Sequence, residues 1–152
     1  MKKKDNFSND LPLGEEIEYR LLKHLKKKYP KSKKIKGEFK DYDLEVPEKD
    51  VKIEVKRDIG SKDTENYFIE HECNYKPSGI TTTKANYWVI YDEPTFHWIK
   101  TCKLKSLCHL YGEPWEGIPR GGASFVRAYL IKKEFIITHS EKTSWHYIKI
   151  NV

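Results

Sequence analysis

The sequence lacks any hydrophobic run that could cross a membrane. No apolar stretch reaches the ~18 residues of a membrane-spanning helix, and no apolar segment follows the positively charged N-terminus, as it would in a secretory signal. The three cysteines, Cys73, Cys102 and Cys108, show no paired spacing. These absences predict a cytoplasmic protein with reduced thiols and no membrane partner.

Several motifs that carry chemistry in other proteins are also missing. The cysteines and histidines form no Cys-x-x-Cys or paired Cys/His spacing, which disfavours a zinc site. The His-x-Glu and Pro-Cys-x-x-Cys elements of nucleobase deaminases are absent. Gly121-Gly122 is not followed by Gly-Lys-Ser/Thr, so a turn is the expected role of these glycines rather than phosphate binding.

Positive charge is in excess, and the excess is uneven. The 152 residues carry a net charge of +6, yet residues 1–40 alone carry +7 and the rest of the chain −1. A basic N-terminal third indicates a phosphate-rich partner such as a nucleic acid. A solubilising lysine-rich face would give the same count, so charge by itself leaves both interpretations open.

The first strong periodic pattern predicts an amphipathic helix from Leu13 to Tyr29, ended by Pro30. Residues 1–12 are predicted to be a flexible tail and residues 13–152 a single domain. The apolar positions recur at three- and four-residue spacing and are Leu13, Ile17, Leu21, Leu22 and Leu25.

The clearest predicted strand is Val51 to Lys56, which alternates strictly between apolar and charged residues. Val51, Ile53 and Val55 share one face, and Lys52, Glu54 and Lys56 the other. An earlier strand is predicted at 38–46, before Pro47. Further strands are predicted at 67–73, 87–91, from 95, at 124–137 and at 145–152, short helices at 80–86 and before Leu110, and a loop at 112–122. This order predicts an α/β or α+β domain with a central mixed β-sheet flanked by helices.

Asp43 lies eleven residues before Glu54, the first residue of the Glu54-Val55-Lys56 tripeptide. If the two strands are antiparallel neighbours, Asp43 approaches Glu54 across the pair. Two neighbouring carboxylates repel each other, and a divalent metal such as Mg²⁺, which takes oxygen ligands, relieves the repulsion. Lys56 would add positive charge where negative charge grows on an attacked phosphate. The pattern therefore fits metal-dependent phosphodiester hydrolysis, although a solvated strand face with Glu–Lys pairing would give the same tripeptide.

This layout resembles the PD-(D/E)XK nuclease superfamily, which includes restriction enzymes, archaeal Holliday-junction resolvases and phage nucleases. The resemblance covers about residues 13–91, although Tyr42 stands where the family's proline precedes the aspartate. It implies a restriction-endonuclease-like fold and Asp43, Glu54 and Lys56 as catalytic residues. It also implies Mg²⁺, with Mn²⁺ as a substitute, held by Asp43, Glu54 and the backbone carbonyl of Val55.

Two further segments carry the resemblance. Residues 18–25 look like the first helix of the resolvases, which implies Glu18 as a fourth catalytic acid, with Glu15 as the alternative. Residues 67–89, with their Lys-Pro-Ser-Gly loop, look like the second half of phage-type members. By that likeness Lys76, Ser78 and Lys84 are expected to contact DNA phosphates, or Lys84 to reach the active site.

The expected activity is a DNA endonuclease acting on double-stranded DNA, including branched or phage DNA. A phage origin is expected from the likeness of residues 67–89, and the cytoplasm would then be that of the host cell. A homodimer would allow so small a chain to cut both strands of a two-fold target. The alternative is a non-catalytic, basic nucleic-acid-binding protein on the same scaffold, which would bind DNA in a salt-sensitive manner without turnover.

Overall fold

The computed structural model describes residues 6–37, 41–57, 64–141 and 148–149, with side chains from residue 14 to residue 141 within those ranges. Helices and strands both occur in the described residues, and the strands form two sheets. The predicted mixed α/β class is confirmed. Among the described residues, no helix combines the length and the apolarity needed to span a membrane.

The helix α1 spans Asn6–Lys28. It begins ahead of Leu13, so it includes part of the segment predicted to be a flexible tail; residues 1–5 lie outside the described residues. Pro12 and Gly14 are unfavourable inside a helix, so the sequence pattern does not indicate the first turns of α1. The predicted apolar stripe is confirmed where side chains are described, since Ile17, Leu21, Leu22 and Leu25 are all buried.

The remaining elements are short and are numbered in chain order. The strands are β1 (Lys33–Lys34), β2 (Leu44–Val46), β3 (Val51–Arg57), β4 (Asn66–Cys73), β5 (Lys76–Pro77), β6 (Tyr87–Asp92), β7 (Thr95–Lys100), β8 (Glu113–Gly117), β9 (Val126–Lys132) and β10 (Ile148–Lys149). The helices are α2 (Thr101–Tyr111) and α3 (Lys133–His139), with 3₁₀ turns at Pro47–Lys49 and Gly79–Thr81.

The first sheet is mixed and has the strand order β1-β2-β3-β6-β7-β10. Its β3–β6 pair is parallel and its other pairs are antiparallel. This is the predicted central mixed sheet. The second sheet, of order β5-β4-β9-β8, is entirely antiparallel and was not predicted as a separate sheet. It exists because β4 pairs with β9 along its whole length.

Several predicted elements differ from the observed ones. The helix expected at 80–86 is reduced to the 3₁₀ turn Gly79–Thr81, and the loop expected at 112–122 contains β8, which is recruited by pairing with β9. Such pairing depends on distant residues and overrides local propensity. The strand expected at 124–137 is β9 followed at once by α3.

Two other predicted strands fall partly outside the described residues. Of the strand expected at 38–46, β2 covers Leu44–Val46, and residues 38–40 are not described. Of the strand expected at 145–152, β10 covers Ile148–Lys149, and residues 142–147 and 150–152 are not described. Leu44–Val46 and Ile148–Lys149 are strand as predicted, whereas residues 41–43, which are also described, are not.

The first sheet is covered on both faces. One face packs against α1, so that Ile53 and Val89 join the apolar stripe of the helix in one core cluster. The other face contributes Trp88 and Ile90 to a second cluster, which also holds residues of β4, β9, α2 and α3. The alternation of β3 therefore turns Glu54 and Lys56 away from α1 and toward the side of the second sheet.

Candidate active site

Asp43 lies just before β2, where the chain meets β3. The two strands are antiparallel, with Leu44 paired to Ile53 and Glu45 to Lys52. Asp43 departs from this one-to-one register, since Asp43 and Leu44 both lie opposite Ile53. The backbone amide of Asp43 donates a 2.9 Å hydrogen bond to the carbonyl of Ile53, so the pairing persists up to this residue. The predicted antiparallel approach of the two strands is confirmed.

The carboxylate of Asp43, the residue before β2, accepts a hydrogen bond from a backbone amide of β3. Its Oδ2 accepts a hydrogen bond of 2.8 Å from the amide of Val55, and the side chain is almost completely buried. In an extended strand the N–H and the C=O of one residue point toward the same neighbouring strand. The carbonyl of Val55 therefore points to the same side of β3 as the Asp43 carboxylate.

Glu54 and Lys56 form an ion pair on one face of β3. The Nζ of Lys56 lies 2.9 Å from Oε1 of Glu54. The Glu54 side chain is 19% exposed and that of Lys56 is 44% exposed, so solvent reaches the ammonium group more easily than the carboxylate. The ammonium also lies 5.4 Å from the centre of the ring of Trp88, a residue of the second core cluster, in a cation–π interaction.

The carboxylates around Lys56 favour its charged form. Removal from water lowers the pKa of Lys56, but the charge and the hydrogen bond of Glu54 raise it. The charges of Asp43 and Glu70 raise it further, and the net pKa lies above that of an ordinary lysine. Lys56 is therefore an ammonium group throughout the neutral pH range, and only an alkaline pH removes its charge.

Glu70 is an acid near this site that the sequence did not identify. It lies on β4, and its Oε2 accepts a 2.9 Å hydrogen bond from the hydroxyl of Ser78. Ser78 is itself held by a 3.0 Å bond from its amide to the carbonyl of His71. Ser78 was predicted to contact DNA phosphate; in the structure its hydroxyl group instead fixes Glu70, and a DNA contact stays a prediction.

Gly79 allows the Ser78 segment to lie directly against β4. Its φ is +51°, and a Cβ atom added there would come within 2.2 Å of the carbonyl oxygen of Glu70. A real side-chain atom essentially never approaches so closely. The close contact requires glycine both for its backbone conformation and for its lack of a side chain.

We expect Gly79→Ala to destabilise the fold by about 2–4 kcal/mol, because strain at positive φ adds to a backbone clash. The matched control is Gly121→Ala. Gly121 also has a positive φ (+79°), but nothing lies within 4 Å of its added Cβ, so this variant meets the backbone strain alone. Urea denaturation should show a clearly larger loss for Gly79→Ala; equal losses would mean that the close approach to Glu70 is absent.

Lys76 and Lys84 are exposed, as residues that bind DNA phosphates must be. Lys76 is on β5, opposite Cys73. The amide of Lys84 donates to the carbonyl of Asp41 at 3.4 Å, which brings the backbone of this loop beside the segment that carries Asp43. Their predicted contacts with DNA, and the alternative that Lys84 reaches the active site, stay predictions.

Glu18 lies on the other side of the first sheet. Its Oε2 is 3.1 Å from the Nζ of Lys34, which is paired with Leu44. Leu44 packs in the cluster beneath α1, whereas Glu54 and Lys56 project from the opposite face. Glu18 is thus not among the side chains on the Glu54 and Lys56 face. Its predicted role as a fourth catalytic acid stays a prediction, as does the alternative role of Glu15, which is exposed.

The oxygen donors of the site suit a hard divalent cation. Within the described ranges, no group of three or more His, Cys, Asp or Glu side chains is arranged as a metal site. Mg²⁺, however, commonly uses only one or two carboxylates and keeps several waters. Asp43, Glu54 and the carbonyl of Val55 offer that kind of donor set. Burial raises the pKa of the Cys108 thiol to about 12, which makes this cysteine a poor metal ligand.

No protein-family model, no curated protein and no solved structure matches this chain. The functional assignment therefore depends on the geometry of this chain's own residues. That geometry brings together Asp43, Glu54 and Lys56 and adds Glu70 and Ser78 beside them.

Proposed function

We propose that the protein is a Mg²⁺-dependent DNA endonuclease of the PD-(D/E)XK type, which hydrolyses phosphodiester bonds. The observation that carries the proposal is that Asp43, fixed by the amide of Val55, and Glu54 both act on the Lys56 ammonium, which lies 2.9 Å from Glu54. Two carboxylates and one ammonium at the end of a strand pair are the groups that this chemistry requires. The sequence resemblance supports the same assignment.

Each residue of the site has a distinct role in the proposal. Asp43, Glu54 and the carbonyl of Val55 would hold Mg²⁺, or Mn²⁺ in its place, which supplies Lewis-acid polarisation of the phosphate and a more acidic bound water. The hydrogen bond from the amide of Val55 fixes the orientation of Asp43. Lys56 remains protonated and reachable, so its ammonium can stabilise the negative charge that develops on the attacked phosphate.

The proposed substrate is double-stranded DNA, including branched DNA. The basic N-terminal third of the chain and the exposed Lys76 and Lys84 favour a polyanionic partner. Cutting both strands calls for two active sites, which a two-fold homodimer would supply. The cytoplasm is the proposed site of action, because DNA is reached there, and a phage-encoded protein would act in its host cell.

The test is one cleavage panel with linear duplex, supercoiled plasmid, flap, four-way junction and single-stranded DNA, each with and without Mg²⁺. We expect cleavage of at least one substrate with Mg²⁺ and none in its absence. Binding that weakens steeply with salt, without turnover on any substrate, would instead identify a non-catalytic DNA-binding protein.

A further inference from the structure

The hairpin between β4 and β5 holds a tyrosine in an unfavourable backbone conformation. Its two turn residues, Asn74 and Tyr75, have φ values of 49° and 64°. Two-residue hairpin turns of this kind prefer Asn at the first position and Gly at the second. A bulky residue such as Tyr75 is a genuine outlier at positive φ. Strain of this kind persists mostly at positions where it serves a function.

The strained turn presents an aromatic ring to solvent. Tyr75 is 69% exposed, and its ring stacks on that of Phe125 with centres 5.3 Å apart and planes 18° from parallel. The guanidinium of Arg127 lies 5.4 Å from the centre of the Tyr75 ring and 5.8 Å from that of Phe125. We name these three residues, Tyr75, Phe125 and Arg127, the aromatic platform.

The aromatic platform is fixed from several sides. Arg127 is held by ion pairs of 2.9 Å to Glu72 and 3.1 Å to Glu116. The amide of Asn74 donates a 2.8 Å hydrogen bond to the carbonyl of Phe125, which ties the turn to the segment before β9. A ring held in this way loses little conformational freedom when a second flat group stacks on it.

We propose that the aromatic platform binds an unpaired nucleobase of the DNA substrate by stacking on Tyr75. This inference rests on the proposed nuclease function and specifies its substrate as DNA with a single-stranded part. Aromatic stacking accepts any base, because every base has a π-face. The two carboxylates beside Arg127 more than offset its single positive charge, so the platform suits a base better than a phosphate. The exposed Lys76, next in the chain, can meet the neighbouring phosphate.

One continuous segment joins the platform to the candidate active site. After Tyr75 and β5, Ser78 bonds to Glu70, and the amide of Lys84 reaches the carbonyl of Asp41, two residues before Asp43. In the proposal, a strand of DNA that leaves the duplex near the cleaved bond follows this segment to the platform. This arrangement favours flap or branched DNA over a fully paired duplex.

The chain offers a matched control for the test. Tyr111 is also exposed (54%) and also stacks on a phenylalanine, Phe135, with ring centres 5.1 Å apart. It ends the regular helix α2 and carries neither the positive φ nor the ion-paired arginine of the platform. Tyr111→Ala therefore removes an equivalent surface pair without touching the proposed site.

The experiment measures the dissociation constant of a fluorescein-labelled single-stranded oligonucleotide by anisotropy, in EDTA to prevent cleavage. We expect roughly tenfold weaker binding for Tyr75→Ala and Tyr75→Gly, since stacking on one base has that order of magnitude. Tyr75→Phe and Tyr111→Ala should bind like the wild type. Tyr75→Gly also guards against misfolding, because glycine suits the turn and should keep or raise the melting temperature.

A second readout is a fluorescent adenine analogue in the oligonucleotide, whose emission falls when it stacks. The quenching should disappear with Tyr75→Gly and remain with Tyr75→Phe. Wild-type affinity and quenching in Tyr75→Gly, or a wild type without affinity for the single strand, would refute the inference. Neither result would touch the nuclease proposal, which is tested separately by cleavage of DNA with Mg²⁺.

Discussion

Lys56→Ala is expected to reduce Mg²⁺-dependent DNA cleavage by roughly 100- to 1000-fold, the usual effect of removing one group that stabilises transition-state charge. Lys56 is the ammonium group of the site, and Glu54, Asp43 and Glu70 keep it protonated. Its ion pair is partly exposed, so its loss should cost at most about 1 kcal/mol of folding stability. The loss of activity would therefore be chemical rather than structural.

Lys52→Ala is the matched control for this prediction. Lys52 lies on the same strand and the same face, two residues before Glu54, with its ammonium 5.3 Å from the centre of the Tyr42 ring. Single-turnover rates on plasmid DNA should fall for Lys56→Ala and stay within a few-fold of wild type for Lys52→Ala. Comparable rates for the two variants would show that position 56 has no special role.

Asp43→Asn and Asp43→Ala should separate the chemical role of Asp43 from its structural role. Asn keeps an oxygen that can accept the hydrogen bond from the amide of Val55, so this variant should remain close to wild-type stability. It loses the negative charge, however, and should lose cleavage by roughly 100-fold or more. Ala leaves the Val55 amide without its acceptor and should cost about 1–3 kcal/mol of stability as well.

Urea denaturation and cleavage rates measured on the same preparations test this separation. Glu45→Gln is the control, because Glu45 lies two residues after Asp43, on β2, and its carboxylate is 3.5 Å from the Lys33 ammonium at the protein surface. It should leave both stability and activity nearly unchanged. An Asp43→Asn variant with wild-type activity would remove Asp43 from the catalytic site, and an equally stable Asp43→Ala would contradict the observed hydrogen bond.

The part of the site that lies on β3 could be predicted from the sequence. The alternation of Val51 to Lys56 fixes which side chains share a face, and the nearby turn at Pro47–Lys49 makes antiparallel pairing of β2 and β3 the natural arrangement. Both features are local. The shared face of Glu54 and Lys56, whose side chains form an ion pair, follows from the alternation, and the approach of the Asp43 segment to β3 follows from the antiparallel pairing.

The contributions of the second sheet could not be predicted in the same way. Glu70 reaches the site through β4, whose position depends on its pairing with the distant strand β9. Ser78 meets Glu70 only because Gly79 permits a close backbone approach. The positive φ of Tyr75 also runs against residue preference, so no sequence pattern indicates it. These features depend on tertiary contacts rather than on local propensity.

The central claim is that the carboxylates of Asp43, just before β2, and Glu54, on β3, support metal-dependent DNA cleavage. The most direct measurement is the conversion of supercoiled plasmid to nicked or linear DNA by the wild type and by Glu54→Gln, each with Mg²⁺ and with EDTA. We predict conversion by the wild type with Mg²⁺ alone, and a rate at least about 100-fold lower for Glu54→Gln. Equal conversion by the two proteins, or conversion by the wild type in EDTA, would contradict the proposed site.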